Sequence, residues 1–128
     1  MKILLDTCAF LWWISDESKL SPKVIQIIEN PETTVLLSTA SIWELTIKAK
    51  IGKLKLPKNH EEYLRKKIEE NNFTPLSISL NHTLELFKLK NHHNDPFDRI
   101  LIAQAKHEDA TLITPDNQIK KYDIDWMW

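Results

Sequence analysis

The chain carries one cysteine, Cys8, and one glycine, Gly52, among its 128 residues. A lone thiol excludes an internal disulfide and a cysteine-built zinc cage, and it suits a reducing compartment. No apolar run approaches the roughly 18 to 20 residues that a membrane span requires, and the N-terminal run meets Asp6 before a signal-peptide core can form. These absences predict a cytoplasmic protein whose chemistry rests on side chains other than sulfur. Charge of one sign is also missing: 17 Lys and Arg face 18 Asp and Glu, a formal net charge of -1. No bulk field draws such a chain to polyanions, so a nucleic-acid substrate needs a local basic patch. Lys48, Lys50, Lys53 and Lys55 are the dense candidate, read either as a solvated helix face or as a phosphate-contacting surface. Repeats, linkers and low-complexity tracts are absent as well. With 42% apolar and 27% charged residues, the composition is that of a soluble globular protein, and the length predicts a single domain over 1–128.

Ile3-Leu4-Leu5 is a short apolar run ended by Asp6, the pattern of a central strand buried on both faces, with a helix following through Phe10 to Ile14. Ser21-Pro22 predicts a helix start, with Ser as N-cap and Pro at the first position, running to Asn30-Pro31. Thr34 to Ser38 reads as a second buried strand, and Ser41-Ile42-Trp43-Glu44 as the opening of a helix that ends near Gly52. The charged stretch from His60 to Asn71 predicts an exposed helix, and Phe73 to Ser79 a weak edge strand interrupted by Pro75, before a helix from Leu80 to Leu89. Asp95-Pro96-Phe97-Asp98 combines N-cap, first-position proline and first-turn acid, launching a helix along Ile100, Leu101, Ala103 and Ala105. Thr111 to Thr114 predicts a last buried strand. A short helix around Gln118 to Lys120 and an edge strand within Ile124 to Trp128 complete the reading. Strands alternating with helices argue for an α/β fold with a mostly parallel sheet, helices on both faces, and a ligand site beyond the carboxyl ends of the strands.

Asp6, Glu44, Asp98 and Asp116 all fall on that rim. Each has an ordinary explanation: Asp6 caps a helix, Glu44 completes a capping box with Ser41, Asp98 complements a helix dipole, and Asp116 begins an Asx turn. Together they point further, because four converging carboxylates repel one another unless a cation neutralises them. Oxygen ligands without cysteine suit Mg²⁺ or Mn²⁺, ions that accept phosphate oxygens and activate water for attack on a phosphodiester. Thr7, Ser38 and Thr114 stand beside the acids as candidate hydrogen-bond partners.

These residues resemble the PIN-domain nucleases, and within them the VapC-like toxin branch of type II toxin-antitoxin systems. The likeness rests on Leu4-Leu5-Asp6-Thr7 with Leu11-Trp12-Trp13, and on Ser41-Ile42-Trp43-Glu44 running to Lys48 and Gly52-Lys53-Leu54. It continues through His93-Asn94-Asp95-Pro96-Phe97-Asp98-Arg99 with Leu101-Ile102-Ala103-Gln104-Ala105, and ends at Thr114-Pro115-Asp116. It implies a three-layer α/β/α fold and an acidic metal-binding and catalytic quartet of Asp6, Glu44, Asp98 and Asp116. It also implies Mg²⁺ or Mn²⁺, endonucleolytic cleavage of RNA, and a homodimer silenced by a cognate antitoxin in the active-site groove. Cys8 departs from the pattern, standing where this branch often carries His or Asn.

Other residues invite a role. His92 and His93 are adjacent and so cannot share one helical face as zinc ligands; an exposed loop is the expectation, with His93 a candidate substrate contact. Arg99 is a candidate to pin a phosphate or to pair with Asp95. Lys48, four residues after Glu44, is read as an ion-pair partner or a phosphate contact. Trp12, Trp13, Trp43, Trp126 and Trp128 are read as core or interface anchors rather than base-stacking residues. Three rival functions stay in view: a phosphotransfer receiver, which would need an adjacent acid pair after the first strand, an idle protein-binding module, and an RNA-maturing nuclease without an antitoxin.

Overall fold

The computed structural model describes residues 1–128. Five strands, β1 (Lys2–Leu5), β2 (Thr34–Ser38), β3 (Thr74–Leu76), β4 (Thr111–Ile113) and β5 (Trp126–Met127), form one sheet in the order β3-β2-β1-β4-β5. Every pairing is parallel. Six α-helices connect them: α1 (Thr7–Ser15), α2 (Pro22–Glu29), α3 (Thr39–Lys50), α4 (His60–Glu70), α5 (Leu80–Glu85) and α6 (Pro96–His107). Parallel strands need crossovers, and the crossovers cover both faces. The alternation of side chains along β1 shows the result. Ile3 and Leu5 enter a core with Phe10, Val24, Leu37 and Leu45, whereas Leu4 enters a second core with Leu101, Ile102 and Leu112. A three-layer α/β/α architecture follows, as expected.

The differences from the sequence reading are local. Helix α3 begins at Thr39, because the Ser38 hydroxyl accepts the Ala40 N–H at 3.1 Å and turns the chain directly off β2. Ser41 is therefore a buried residue inside the helix, and Glu44 lies in the second turn instead of closing a capping box. The predicted helix from Leu80 to Leu89 tightens into a 3₁₀ turn over Leu86–Lys88. The edge strand containing Pro75 is real but three residues long. No helix is long and apolar enough to cross a membrane.

Three helices end in the same way. After α3, Gly52 (φ 79°) donates to the Ala49 carbonyl and Lys53 to that of Lys48. After α4 and α6, Asn72 (φ 54°) and Asp109 (φ 52°) occupy the equivalent left-handed position with the same pair of backbone bonds. This is the Schellman arrangement, in which glycine is favoured because a Cβ is strained there. With a single glycine in the chain, an amide and a carboxylate fill the other two places. We expect Asn72→Gly to raise stability by about 0.5–1 kcal/mol, since relief of the left-handed strain exceeds the added unfolded-state entropy. Urea denaturation of the two proteins measures this, and a lower midpoint for the variant would contradict it.

Candidate metal centre at the sheet switch point

Strand order reverses between β1 and β4, the place where open α/β sheets hold ligands. The Asp6 N–H donates to the Ile113 carbonyl at 3.1 Å, so the first residue past β1 is tied to the end of β4. Asp6 caps α1, its Oδ1 accepting the Ala9 N–H at 2.7 Å. Its side chain is nonetheless almost wholly enclosed, the residue being 4% exposed. Desolvation pushes the Asp6 carboxyl up to about 6; hydrogen bonds from Thr114 and Ala9 oppose the rise, and the charges of Asp98 and Asp116 add to it. Thr114 is buried between two acids: its hydroxyl bonds to Asp6 and accepts the Asp116 N–H at 3.1 Å. Asp116 also forms the expected Asx turn, accepting the Gln118 N–H at 2.8 Å.

Asp98 arrives from the other direction, in the first turn of α6. Asp95 caps that helix through the N–H groups of Phe97 and Asp98, at 2.9 and 3.1 Å. Burial pushes the Asp98 carboxyl up to about 6, His93 pulls against this, and the charges of Asp95 and Asp116 reinforce it. Asp6, Asp98 and Asp116 thus sense one another. Glu44 is absent from the charges acting on Asp6 or Asp98. Its carboxylate pairs with Lys48 at 3.1 Å. Helix α3 reaches the other acids through its neighbours: the Thr7 hydroxyl donates to Ser41 Oγ at 3.1 Å, and the Trp43 ring meets Phe97 edge-on at 5.0 Å.

Several side chains take roles that differ from those read in the sequence. Thr7 and Ser38 bond to Ser41 and to the α3 backbone, not to an acid, which leaves Thr114 as the hydroxyl that touches the carboxylates. His93 is no exposed loop residue: Nε2 lies 3.0 Å from Asp98 Oδ2 and Nδ1 lies 2.8 Å from the Tyr122 hydroxyl. Arg99 does not pair with Asp95. Its Nη1 donates to the Lys90 carbonyl at 2.9 Å and to Tyr122 Oη at 2.8 Å, with the guanidinium over the Tyr122 ring. Tyr122 is the residue that sequence reasoning missed; it organises His93 and Arg99 from 29 and 23 positions away. Lys50, Lys53 and Lys55 are exposed, and Lys48 is engaged by Glu44. Burial pushes the Cys8 thiol up to about 12, so it is no nucleophile at neutral pH.

Oxygen donors alone, two of them held near 6 by burial and by the charge of neighbouring carboxylates, form a set that a hard divalent cation fits. The only trio of metal-capable side chains with ligand atoms all within 4.8 Å of one another lies elsewhere, at His82, His107 and Glu108. Its tautomer argues against a metal. His82 Nδ1 accepts the Ser79 N–H at 3.0 Å and faces Gln104 Nε2 at 3.4 Å, so the ring proton sits on Nε2 and points at Glu108 Oε2, 3.2 Å away. No lone pair is left on His82 for an ion; its hydrogen bond to Glu108 and its edge-on contact with His107 at 5.2 Å brace α5 against the end of α6.

The raised carboxyls carry a sign. With folded values near 6 against an ordinary 3.8, ionisation opposes folding: the contribution of Asp6 and Asp98 is fully present below about pH 4 and is lost as pH rises through about 6. In EDTA, the melting temperature of the wild type is therefore expected to fall from pH 5 to pH 7.5 more steeply than that of Asp6→Asn/Asp98→Asn. Mn²⁺ added at pH 7.5 restores the wild type alone. Parallel pH curves for the two proteins would count against the crowded-acid description.

Residues 3–125 match the family model described as PIN domain. Ribonuclease VapC16 of Mycobacterium tuberculosis is 33% identical over 57 residues, an alignment spanning 44% of this chain and 40% of that relative. Among solved structures, VapBC2 from Rickettsia felis bound to a promoter DNA fragment is similar with a TM-score of 0.73 and 17% identity, over 99% of this chain and 98% of that one. A toxin-antitoxin complex from Klebsiella pneumoniae is similar with a TM-score of 0.57 and 20% identity, over 89% and 86% of the two chains. With the family model covering nearly the whole length and the fold shared across these structures, the chain belongs to the PIN-domain family.

Proposed function

We propose that this protein is a Mg²⁺- or Mn²⁺-dependent endoribonuclease and the toxin of a type II toxin-antitoxin pair. The observation that carries the reading is the gathering of Asp6, Asp98 and Asp116 at the switch point, the first two pushed to about 6 by burial and, secondarily, by neighbouring carboxylates, Asp116 acting on both. Asp6, Asp98, Asp116 and, from α3, Glu44 would hold the ion. When bound, it supplies a Lewis acid for the phosphate oxygens and lowers the pKa of a nucleophilic water. The chain's own groups do the rest. Thr114 fixes the Asp6 carboxylate while taking the backbone N–H of Asp116, so the two acids keep one spacing. His93, braced by Tyr122, holds Asp98 Oδ2 and stops the carboxylate turning away. Lys48 pairs with Glu44 from the next turn of its helix, at 3.1 Å. The lysines beyond it offer charge for the flanking phosphates.

The partners belong to the same reading. The Klebsiella pneumoniae structure is a toxin-antitoxin complex, and here α5 and its 3₁₀ extension leave Leu80, Leu84 and Phe87 uncovered, a stripe of the kind that protein contacts cover. A cognate antitoxin and a homodimer are both consistent with that surface.

Purified protein incubated with total RNA and Mg²⁺ or Mn²⁺ should give discrete fragments, absent in EDTA. Asp98→Asn should slow cleavage by about 100-fold or more, the factor that a loss of roughly 3 kcal/mol of transition-state stabilisation carries. Full activity in that variant would remove the acids from the chemistry. Reversing charge at Lys50 and Lys53 should weaken RNA binding and lower the slope of affinity against salt by about one for each phosphate that is no longer neutralised. An unchanged slope assigns the lysines to solvent.

A further inference from the structure

We propose that Trp43, with Phe97 behind it, is a stacking platform for an unpaired base of the RNA beside the cleaved phosphodiester; this rests on the nuclease reading above. Trp43 is 59% exposed, although indoles in a small domain ordinarily belong to its core. It directly precedes Glu44, and Phe97 directly precedes Asp98. The two rings meet at 5.0 Å and 77°, an edge-to-face contact that fixes the attitude of the indole across the gap between α3 and α6. A planar, apolar surface is thereby held next to two of the candidate metal-holding acids.

The surroundings identify the occupant. From Leu45 to His60 the chain has five lysines and no acid. Lys50 stands seven residues after Trp43, on the same helix face and roughly 10 Å along the axis. Lys53 and Lys55 follow in the turn, all three exposed. A flat aromatic between a row of free cations and a carboxylate site matches a single strand, whose phosphates track the lysines and whose splayed base finds a π-face. A paired base already has stacking neighbours and does not offer itself. The apolar stripe on α5 differs on this point: the cations beside it, Lys88 and Lys106, are already engaged by Glu85 at 3.5 and 3.9 Å, whereas Lys50, Lys53 and Lys55 carry no ion pair.

The test uses fluorescence anisotropy of a labelled single-stranded oligoribonucleotide, in an Asp98→Asn background so that the strand survives. Trp43→Leu should weaken binding by roughly 5- to 150-fold, the range that one base–aromatic stack carries. Trp43→Phe should recover most of it, and the salt slope should not change, because every lysine–phosphate pair is kept. An oligonucleotide with abasic sites should bind the unsubstituted Trp43 protein as weakly as the Leu variant binds the intact strand. Equal affinity for Leu and Trp overturns the platform, as does a Leu variant that dissociates in sedimentation while keeping its RNA affinity, which assigns Trp43 to a protein contact. Cleavage of total RNA by the wild type separates the two levels. If it persists with the Leu variant showing the wild-type KM, the platform alone fails; absent cleavage together with absent binding removes the nuclease reading and the platform with it.

Discussion

A carboxylate that is 4% exposed at the end of a central strand is the constraint around which the rest of this structure is arranged. Asp6 cannot move away, because its N–H is bonded to Ile113 and its side chain caps α1. Desolvation and the nearby charges of Asp98 and Asp116 raise its proton affinity, and only Thr114 and the Ala9 N–H offset them. A fold selected for stability alone would place an apolar side chain or a hydroxyl there. Three acids within electrostatic reach of one another are costly, and the switch point of the sheet is the place where the backbone delivers them from three different segments.

The supports around the acids divide by how they are held. Thr114 and the α1 backbone restrain Asp6 from within the sheet. Asp98 is restrained from outside it, by a chain of Asp98, His93, Tyr122 and Arg99 that closes back onto the Lys90 carbonyl. That chain fastens the loop before α6 to the turn before β5, so the position of one carboxylate depends on contacts far from it in sequence. Glu44 is the least constrained of the four, its one partner being a half-exposed lysine. Glu44 is thus held by one surface ion pair, whereas Asp6 is fixed by the backbone on both sides of it.

Much of this is legible in the residue order because it is local. Ile3-Leu4-Leu5-Asp6 announces a buried strand with an acid at its mouth, and Asp95-Pro96-Phe97-Asp98 announces a capped helix with an acid in its first turn; both need only the periodicity of the chain and its capping chemistry. The start of α3 is ambiguous in the sequence because Ser38 and Ser41 are both competent caps, and the choice depends on where β2 stops. The partners of His93 and Arg99 cannot be read at all. Tyr122 is apolar enough to pass for core, and nothing within a helical turn of it signals a hydroxyl shared by His93 and Arg99. The exposure of Trp43 is hidden for the opposite reason: composition predicts burial for a tryptophan, and only the packing of α3 against α6 turns this one outward.

The pairing of β1 with β4 joins Ile3 to Thr111 and Leu5 to Ile113, residues separated by most of the chain. Closing a contact over that span carries a large loop-closure entropy, which the buried packing of the two strands must offset. Asp6 and Asp116 lie just beyond that seam. The two acids therefore share one environment only when residues 111–113 are paired with residues 3–5, so the same contact that closes the middle of the sheet also assembles its acidic mouth.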